Sequence, residues 1–300
     1  MLSIIIPTYQ AEKELPPLLE SLRIQTLYPH FEVLVVDSSS SDATLALARD
    51  FGAKVMSIPR AEFNHGLTRT LAGQKAQGDL LVYLTQDARL AHKEALERLL
   101  APLEDPRIAA AYGRQIAPKD KGLLSALHRA FNYPPQSRII SYADRHTLGL
   151  RAVFASNSFA AYKREALVQV GWFPALPSSE DMYVFAKLLK QGFQVAYVAE
   201  ARVFHAHRLR LREEFKRYAA IGAFHALHPW IIKEFGQAQG EGWKYLRFMS
   251  SQLLKRAPHY LPYFFWQTLI RYLGYHWGKH SFRLKRLLTP KGNLTAIRRF

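Results

Sequence analysis

Four short segments of this 300-residue chain hold side chains suited to a charged, phosphorylated ligand. In the first, Val35-Val36-Asp37-Ser38-Ser39-Ser40-Ser41-Asp42, an apolar run ends on a carboxylate and gives way to small hydroxyl residues. A carboxylate so placed can accept a nucleobase N–H, and short serines leave room for a nucleoside. The plainer reading is that Ser41 or Asp42 caps the helix that follows. In the second, Leu80 to Ala88, a hydrophobic run ends at Gln86-Asp87. Asp87 can hold Mg²⁺ or Mn²⁺ against a diphosphate, where the cation offsets charge on a departing nucleotide; equally, it can be a turn residue. The third, Ser178-Ser179-Glu180-Asp181-Met182, sets two carboxylates at the head of a helical pattern, and its plainer reading is a capping box from Ser178 to Asp181. A helix N-terminus favours the ionised form, so Asp181 is expected to be deprotonated at some loss of basicity. In the fourth, Val203-Phe204-His205-Ala206-His207, alternate residues of a strand share a face, so two imidazoles can converge on a metal or diphosphate. The spacing does not choose between His205 and His207.

These side chains need a scaffold, and the first half of the chain alternates short apolar runs with helical patterns, as a doubly wound α/β sheet does. Strands are expected at Ser3 to Pro7, Phe31 to Asp37, Lys54 to Ile58 and Asp79 to Thr85, with helices at Lys13 to Ile24, Thr44 to Phe51 and Gly66 to Gln77 between them. Ligands of such sheets bind beyond the carboxyl ends of the strands, which puts Thr8, Asp37 and Asp87 along one edge. Further on, the pattern predicts strands at Ile108 to Tyr112, Phe154 to Tyr162 and Gln194 to Val198. Helices are expected at His92 to Leu100, Leu123 to Phe131, Lys163 to Val170 and Asp181 to Gln191, with a loop over 133–151. Beyond His205 the helical candidates are Arg208 to Ala226, Gly242 to Lys255 and Leu261 to His280.

Charge divides the chain more sharply than its total of +17 suggests. Residues 1–204 carry 23 Lys/Arg against 20 Asp/Glu, whereas residues 205–300 carry 18 against 4, and no acid follows Glu241. Aromatic residues are interleaved with these cations, so the tail seeks an anionic partner, either nucleic acid or lipid headgroups. No apolar stretch is long enough to span a bilayer, but a basic aromatic segment can lie in the headgroup layer; the bland reading is a small helical core. Nucleic acid is disfavoured, because strand-end carboxylates repel phosphate and no recognisable nucleic-acid module is present. The chain has no cysteine, which excludes disulfides and thiolate metal sites. Its N-terminus lacks a basic region and breaks at Pro7, so it reads as a strand rather than a signal peptide. The expected location is the cytoplasm, peripheral on the inner face of the cell membrane.

Taken together, Ile-Ile-Ile-Pro-Thr-Tyr at the start, Val-Val-Asp-Ser-Ser-Ser-Ser-Asp-Ala-Thr, and Leu-Thr-Gln-Asp-Ala resemble family-2 glycosyltransferases, the inverting GT-A group. The resemblance implies an α/β GT-A fold with a doubly wound mixed sheet: a catalytic domain over 1–207 and a basic, aromatic-rich helical region over 208–300 for membrane-surface association. It implies that Asp37 reads the pyrimidine ring and that Asp87, last residue of a Thr85-Gln86-Asp87 segment one carboxylate short of the family's Asp-x-Asp, meets cation and diphosphate. Glu180-Asp181 matches the family's Glu-Asp motif, in which the Asp is the catalytic base for the acceptor hydroxyl. A His near position 205 or 207 would serve the metal or diphosphate. Arg60 to Arg69, Tyr112 to Gln115, Phe131 to Pro134 and Ser156 to Phe159 are similar to bacterial rhamnosyltransferases that use dTDP-L-rhamnose. On that likeness Pro7, Thr8, Tyr9, Ser39, Asn64, His65, Arg69, Gln86 and Arg114 join Asp37 around the nucleotide sugar, with Mg²⁺ or Mn²⁺ as cofactor. The implied acceptor is a hydroxyl of a glycan or lipid-linked glycan in cell-surface polysaccharide synthesis. The alternative donor is another nucleotide sugar such as a UDP-hexose.

Overall fold

The computed structural model describes residues 1–176, 178–206, 210–236 and 240–288, with 282–288 as backbone only. Its first half runs β1 (Leu2–Thr8), α1 (Leu15–Arg23), β2 (Phe31–Asp37), α2 (Thr44–Phe51), β3 (Lys54–Ser57), α3 (His65–Lys75) and β4 (Leu80–Leu84). These strands pair in parallel in the order β3-β2-β1-β4. Side chains on successive strand residues point to opposite faces, and both faces are apolar: Leu2, Ile4 and Ile6 enter one core cluster and Ile5 the other. Leu81 and Tyr83 against Val82 and Leu84 on β4 repeat the division.

The chain continues through β5 (Arg89–Leu90), α4 (Ala95–Leu100), β6 (Ile108–Ile116), α5 (Gly122–Asn132), β7 (Arg138–Ile140), α6 (Arg145–Leu148), β8 (Phe159–Lys163), α7 (Arg164–Val170), α8 (Glu180–Lys190) and β9 (Gln194–Phe204). β8 runs antiparallel to both β4 and β6, and β9 lies parallel to β6 while pairing antiparallel with β5 and β7, so the sheet is mixed. Several expectations change, three of them in this part of the chain. The 133–151 loop contains β7, α6 and 3-10 turns, held by a capping box between Ser141 and Asp144. β8 begins only at Phe159, because a turn over 157–158 precedes it. β9 extends past Val198, since Ala199, Ala201 and Val203 turn inward while Glu200 and Arg202 face out.

Four helices follow: α9 (Leu211–Leu227), α10 (Pro229–Phe235), α11 (Glu241–Arg256) and α12 (Leu261–Leu288). Phe224, Ile231 and Phe235 join the main core, while Met249, Leu253 and Phe264 form a small core with Leu127 of α5. α9 and α12 meet backbone to backbone: a Cβ on Gly278 would lie 1.9 Å from the Ala219 carbonyl oxygen, and one on Gly222 2.0 Å from that of Tyr275. Only glycine allows that approach. Beside the contact, the largely covered Arg271 is paired with Glu214 (2.6 Å) and donates to the Tyr245 hydroxyl (2.8 Å), which lies 2.9 Å from Nδ1 of His128. His128 of α5, Glu214 of α9, Tyr245 of α11 and Arg271 of α12 therefore form one linked polar cluster. Among the described residues no helix is long and apolar enough to cross a membrane.

Candidate active site

A cleft of about 690 Å³ opens at the carboxyl ends of β1 and β4 and the end of β9. Pro7, Thr8, Tyr9, His65, Arg69, Gln86, Asp87 and His205 all line it. The β1 and β2 ends are stapled by Asp37, whose buried carboxylate accepts from the Thr8 hydroxyl (2.9 Å) and from the hydroxyl (2.6 Å) and backbone N–H (2.7 Å) of Ser40. Asp37 is fully buried, so contact with a base requires the β1 and β2 ends to move and uncover it. Gln86 closes on the peptide of Tyr9, accepting from its N–H (2.9 Å) and donating to its carbonyl (3.3 Å). The Arg60 guanidinium sits 3.8 Å above the Tyr9 ring.

On the far side of the cleft, His205 Nε2 lies 3.4 Å from an Asp87 oxygen. His205 Nδ1 donates to the Gln115 side-chain oxygen (3.0 Å), and the Gln115 amide donates to the Ser156 hydroxyl (2.7 Å). With Nδ1 on Gln115, the ring's other nitrogen faces Asp87, the orientation that second-shell partners give to metal-binding imidazoles. β9 ends at Phe204, so His205 lies one residue beyond the strand. His207 lies outside the described residues.

The next residue, Asn157, reaches the carboxylate pair. Its backbone N–H donates to Asp181 (3.3 Å), its amide to Glu180 (3.0 Å), and its side-chain oxygen accepts from Tyr162 (2.7 Å). Glu180 is paired with Arg69 at 3.0 Å, both nearly sealed from solvent, and Arg69 also donates to the His65 carbonyl (3.0 Å). Burial opposes ionisation of Glu180, but the Arg69 and His65 charges and the Asn157 amide prevail and hold it below the usual carboxylate range. For Asp181 the balance reverses: burial, then the charge of Glu180, push its carboxyl up to about 7. The expected depression at the helix end is therefore corrected, because two backbone N–H bonds, from Met182 and Asn157, are outweighed. The expected capping box also fails, since Ser179 precedes α8 with a left-handed φ of 63° and no side-chain cap bond forms. Backbone strain of this kind recurs at Gln10 (φ 48°), the residue after the cleft-lining Tyr9, and at Ser39 (φ 62°).

Comparison with known proteins decides the family. A family model described as "Glycosyl transferase family 2" matches residues 3–171. The chain belongs to glycosyl transferase family 2. This glycosyltransferase is 43% identical over 282 residues to the O-antigen chain rhamnosyltransferase RfbN of Salmonella typhimurium, covering 93% of this chain and 90% of the relative. It is 40% identical to the O-antigen chain rhamnosyltransferase WbaN of Salmonella anatum, covering 93% and 89%. Its fold is similar to that of mannosyltransferase PcManGT from Pyrobaculum calidifontis in complex with GDP-Man and Mn²⁺, at a TM-score of 0.62, 20% identity and coverage of 93% and 86%. It is also similar to Staphylococcus aureus TarS 1-349 in complex with UDP-GlcNAc, at a TM-score of 0.58, 17% identity and coverage of 95% and 92%. These structures support the expected GT-A fold.

Not every expected residue of the glycosyltransferase comes to the cleft. Arg114 lies on β6 opposite Arg202 and does not line it. Its neighbour Gln115 is the one turned toward His205, since adjacent strand residues face opposite ways. Asn64 caps α3, accepting from the N–H groups of Gly66 and Leu67 (both 3.1 Å), and Ser39 donates to the Ile58 carbonyl (2.9 Å). Sequence reasoning missed Gln115 and Asn157 as positioning groups, and Arg89 and Lys121 as cations lining the cleft. Gln115 and Asn157 stand in segments singled out above; Arg89 and Lys121 carry no local signal. The Asp87–His205 corner sets one carboxylate beside one imidazole, an O and an N donor of the types that ligate divalent cations. Among the described residues no group of three or more His, Cys, Asp or Glu gathers.

Proposed function

We propose that the chain transfers L-rhamnose from dTDP-L-rhamnose, with inversion, to a hydroxyl of a glycan or lipid-linked glycan in cell-surface polysaccharide synthesis. The observation that carries this reading is the Ser156-Asn157 dipeptide. Through Gln115 it orients His205 beside Asp87, and in the adjacent residue it holds Asp181, so cation corner and base share one peptide. The rhamnosyltransferases that match nearly the whole chain support the choice of sugar.

In this mechanism the nucleoside lies over the β1 and β2 ends with Tyr9 and Thr8, and Asp37 exchanges one Ser40 bond for a pyrimidine N–H. Asp87 and His205 would hold Mn²⁺ or Mg²⁺, which would supply charge neutralisation for the diphosphate. Arg69, which lines the cleft, is paired with Glu180 at 3.0 Å and holds that carboxylate in place beside Asp181. Asp181 takes the proton of the acceptor hydroxyl as that oxygen attacks the anomeric carbon opposite the departing nucleotide. A base with a value near 7 matches proton transfer at neutral pH. Residues 1–207 serve as the catalytic part and 208–300 as the basic part, set against an anionic membrane on the cytoplasmic side where a lipid-linked acceptor is presented.

The test is a thermal-shift panel of dTDP-L-rhamnose, dTDP-glucose, UDP-glucose and GDP-mannose, each with and without Mn²⁺ or Mg²⁺. Selective, cation-dependent stabilisation by dTDP-L-rhamnose is expected. Equal or greater stabilisation by a UDP-hexose would refute the donor assignment.

A further inference from the structure

The helix that closes the fold has two unlike sides. Its inner side packs on α9 through Gly274 and Gly278, buries Phe264 and Gln267, and turns the largely covered Arg271 onto Glu214. Its outer side carries Phe265, Trp266, Leu269, Tyr272, Leu273 and Trp277, each between 43% and 60% exposed. Those positions recur at three- and four-residue steps, so they form one continuous stripe. No Lys or Arg side chain interrupts it, since Arg271 is turned inward on Glu214 and the Lys279 ammonium lies over the Tyr275 ring, while the His276 ring within the stripe packs on Tyr272 at 4.3 Å. A large apolar stripe left in water marks a contact surface.

We propose that this outer face of α12 docks in the anionic headgroup layer of a lipid bilayer, the helix lying in the plane of the interface. Charge chooses this occupant over a second copy of the chain. Lys255 and Arg256 are exposed just before the helix, and the sequence after the stripe continues through Arg283, Lys285 and Arg286 with no acid anywhere beyond Glu241. Two such tails placed face to face would repel, whereas anionic lipid neutralises them. The side chains match as well: tryptophan and tyrosine are the residues that settle between acyl chains and water. Because the stripe is helical, its backbone bonds are already made and it can enter the interface without unfolding. The proposal deepens the reading of a membrane-presented acceptor and rests on it for its purpose.

The experiment uses the full chain and the double variant Trp266→Glu/Trp277→Glu, both sites exposed and remote from the cleft residues. Cosedimentation with vesicles of phosphatidylglycerol mixed with phosphatidylcholine is compared with phosphatidylcholine alone, at low and high salt. The unmodified chain is expected to bind the anionic vesicles, less so at high salt, and the double variant about tenfold or more weakly. Far-UV circular dichroism and stabilisation by the donor nucleotide should be the same in both. Equal vesicle binding by the two proteins, or none by either, overturns the proposal. Sedimentation velocity showing a dimer that the double variant abolishes, with no vesicle binding, assigns the face to a second copy instead. Donor-induced stabilisation is read separately, so loss of docking and loss of the donor assignment are distinguishable.

Discussion

Burial and the charge of Glu180, which together push Asp181 up to about 7, act on folding as well as on proton transfer. A carboxyl whose value rises on folding from its ordinary 3.8 favours the folded chain while protonated, and that contribution is lost as pH climbs through about 7. Asp181→Asn is therefore expected to raise the thermal midpoint at pH 8 and to leave it little changed near pH 4. The same variant should lower transfer about 10²- to 10⁴-fold while sparing nucleotide binding. A full-rate Asn variant would remove Asp181 from the base role. Glu180→Gln removes the like charge beside the base, so the acidic limb of the kcat/KM profile should move to lower pH; an unmoved limb would mean that Glu180 does not tune Asp181. At this scale the sequence showed which acids to watch but not their state. The pattern Ser-Ser-Glu-Asp announces a helix start, yet nothing in it reveals that Asn157 and Arg69, distant in the chain, decide which carboxylate stays ionised.

Elements were legible where their period was long enough to show. β1, β2 and β4 are apolar on both faces, and the amphipathic α1 and α2 follow from spacing, so the edge that carries Thr8, Asp37 and Asp87 could be placed in advance. β7, three residues long, and the outer half of β9, where small alanines alternate with charged residues, offered too little apolar signal. That Gln115 rather than Arg114 faces His205 was hidden for a related reason: on a strand, one position decides which side of the sheet a side chain meets. Glycine placement in the tail could not be interpreted without its partner helix. With the partner known, Gly278→Ala should destabilise the chain by about 1–3 kcal/mol, because the new methyl meets the Ala219 carbonyl rather than a yielding side chain. Chemical denaturation would measure it, and an unchanged midpoint would show that the helices can part without cost.

For the molecule as a whole, composition foretold a neutral part and a strongly basic one, and the structure places the basic part in continuous contact with the rest. α9 and α10 contribute to the main core, and the Arg271–Glu214 pair ties α12 to α9. The tail is thus no loose appendage, a point its charge and aromatic content left open.

The glycine contact between α9 and α12 also acts as an angular reference. Each helical residue turns the chain by about 100°, so inserting a single residue between Gly278 and the preceding aromatics would swing part of the outer stripe round into the protein. The spacing of those glycines thereby sets the compass bearing of the cleft above whatever surface the stripe meets, and length changes in α12 should be tolerated far less well than substitutions along it.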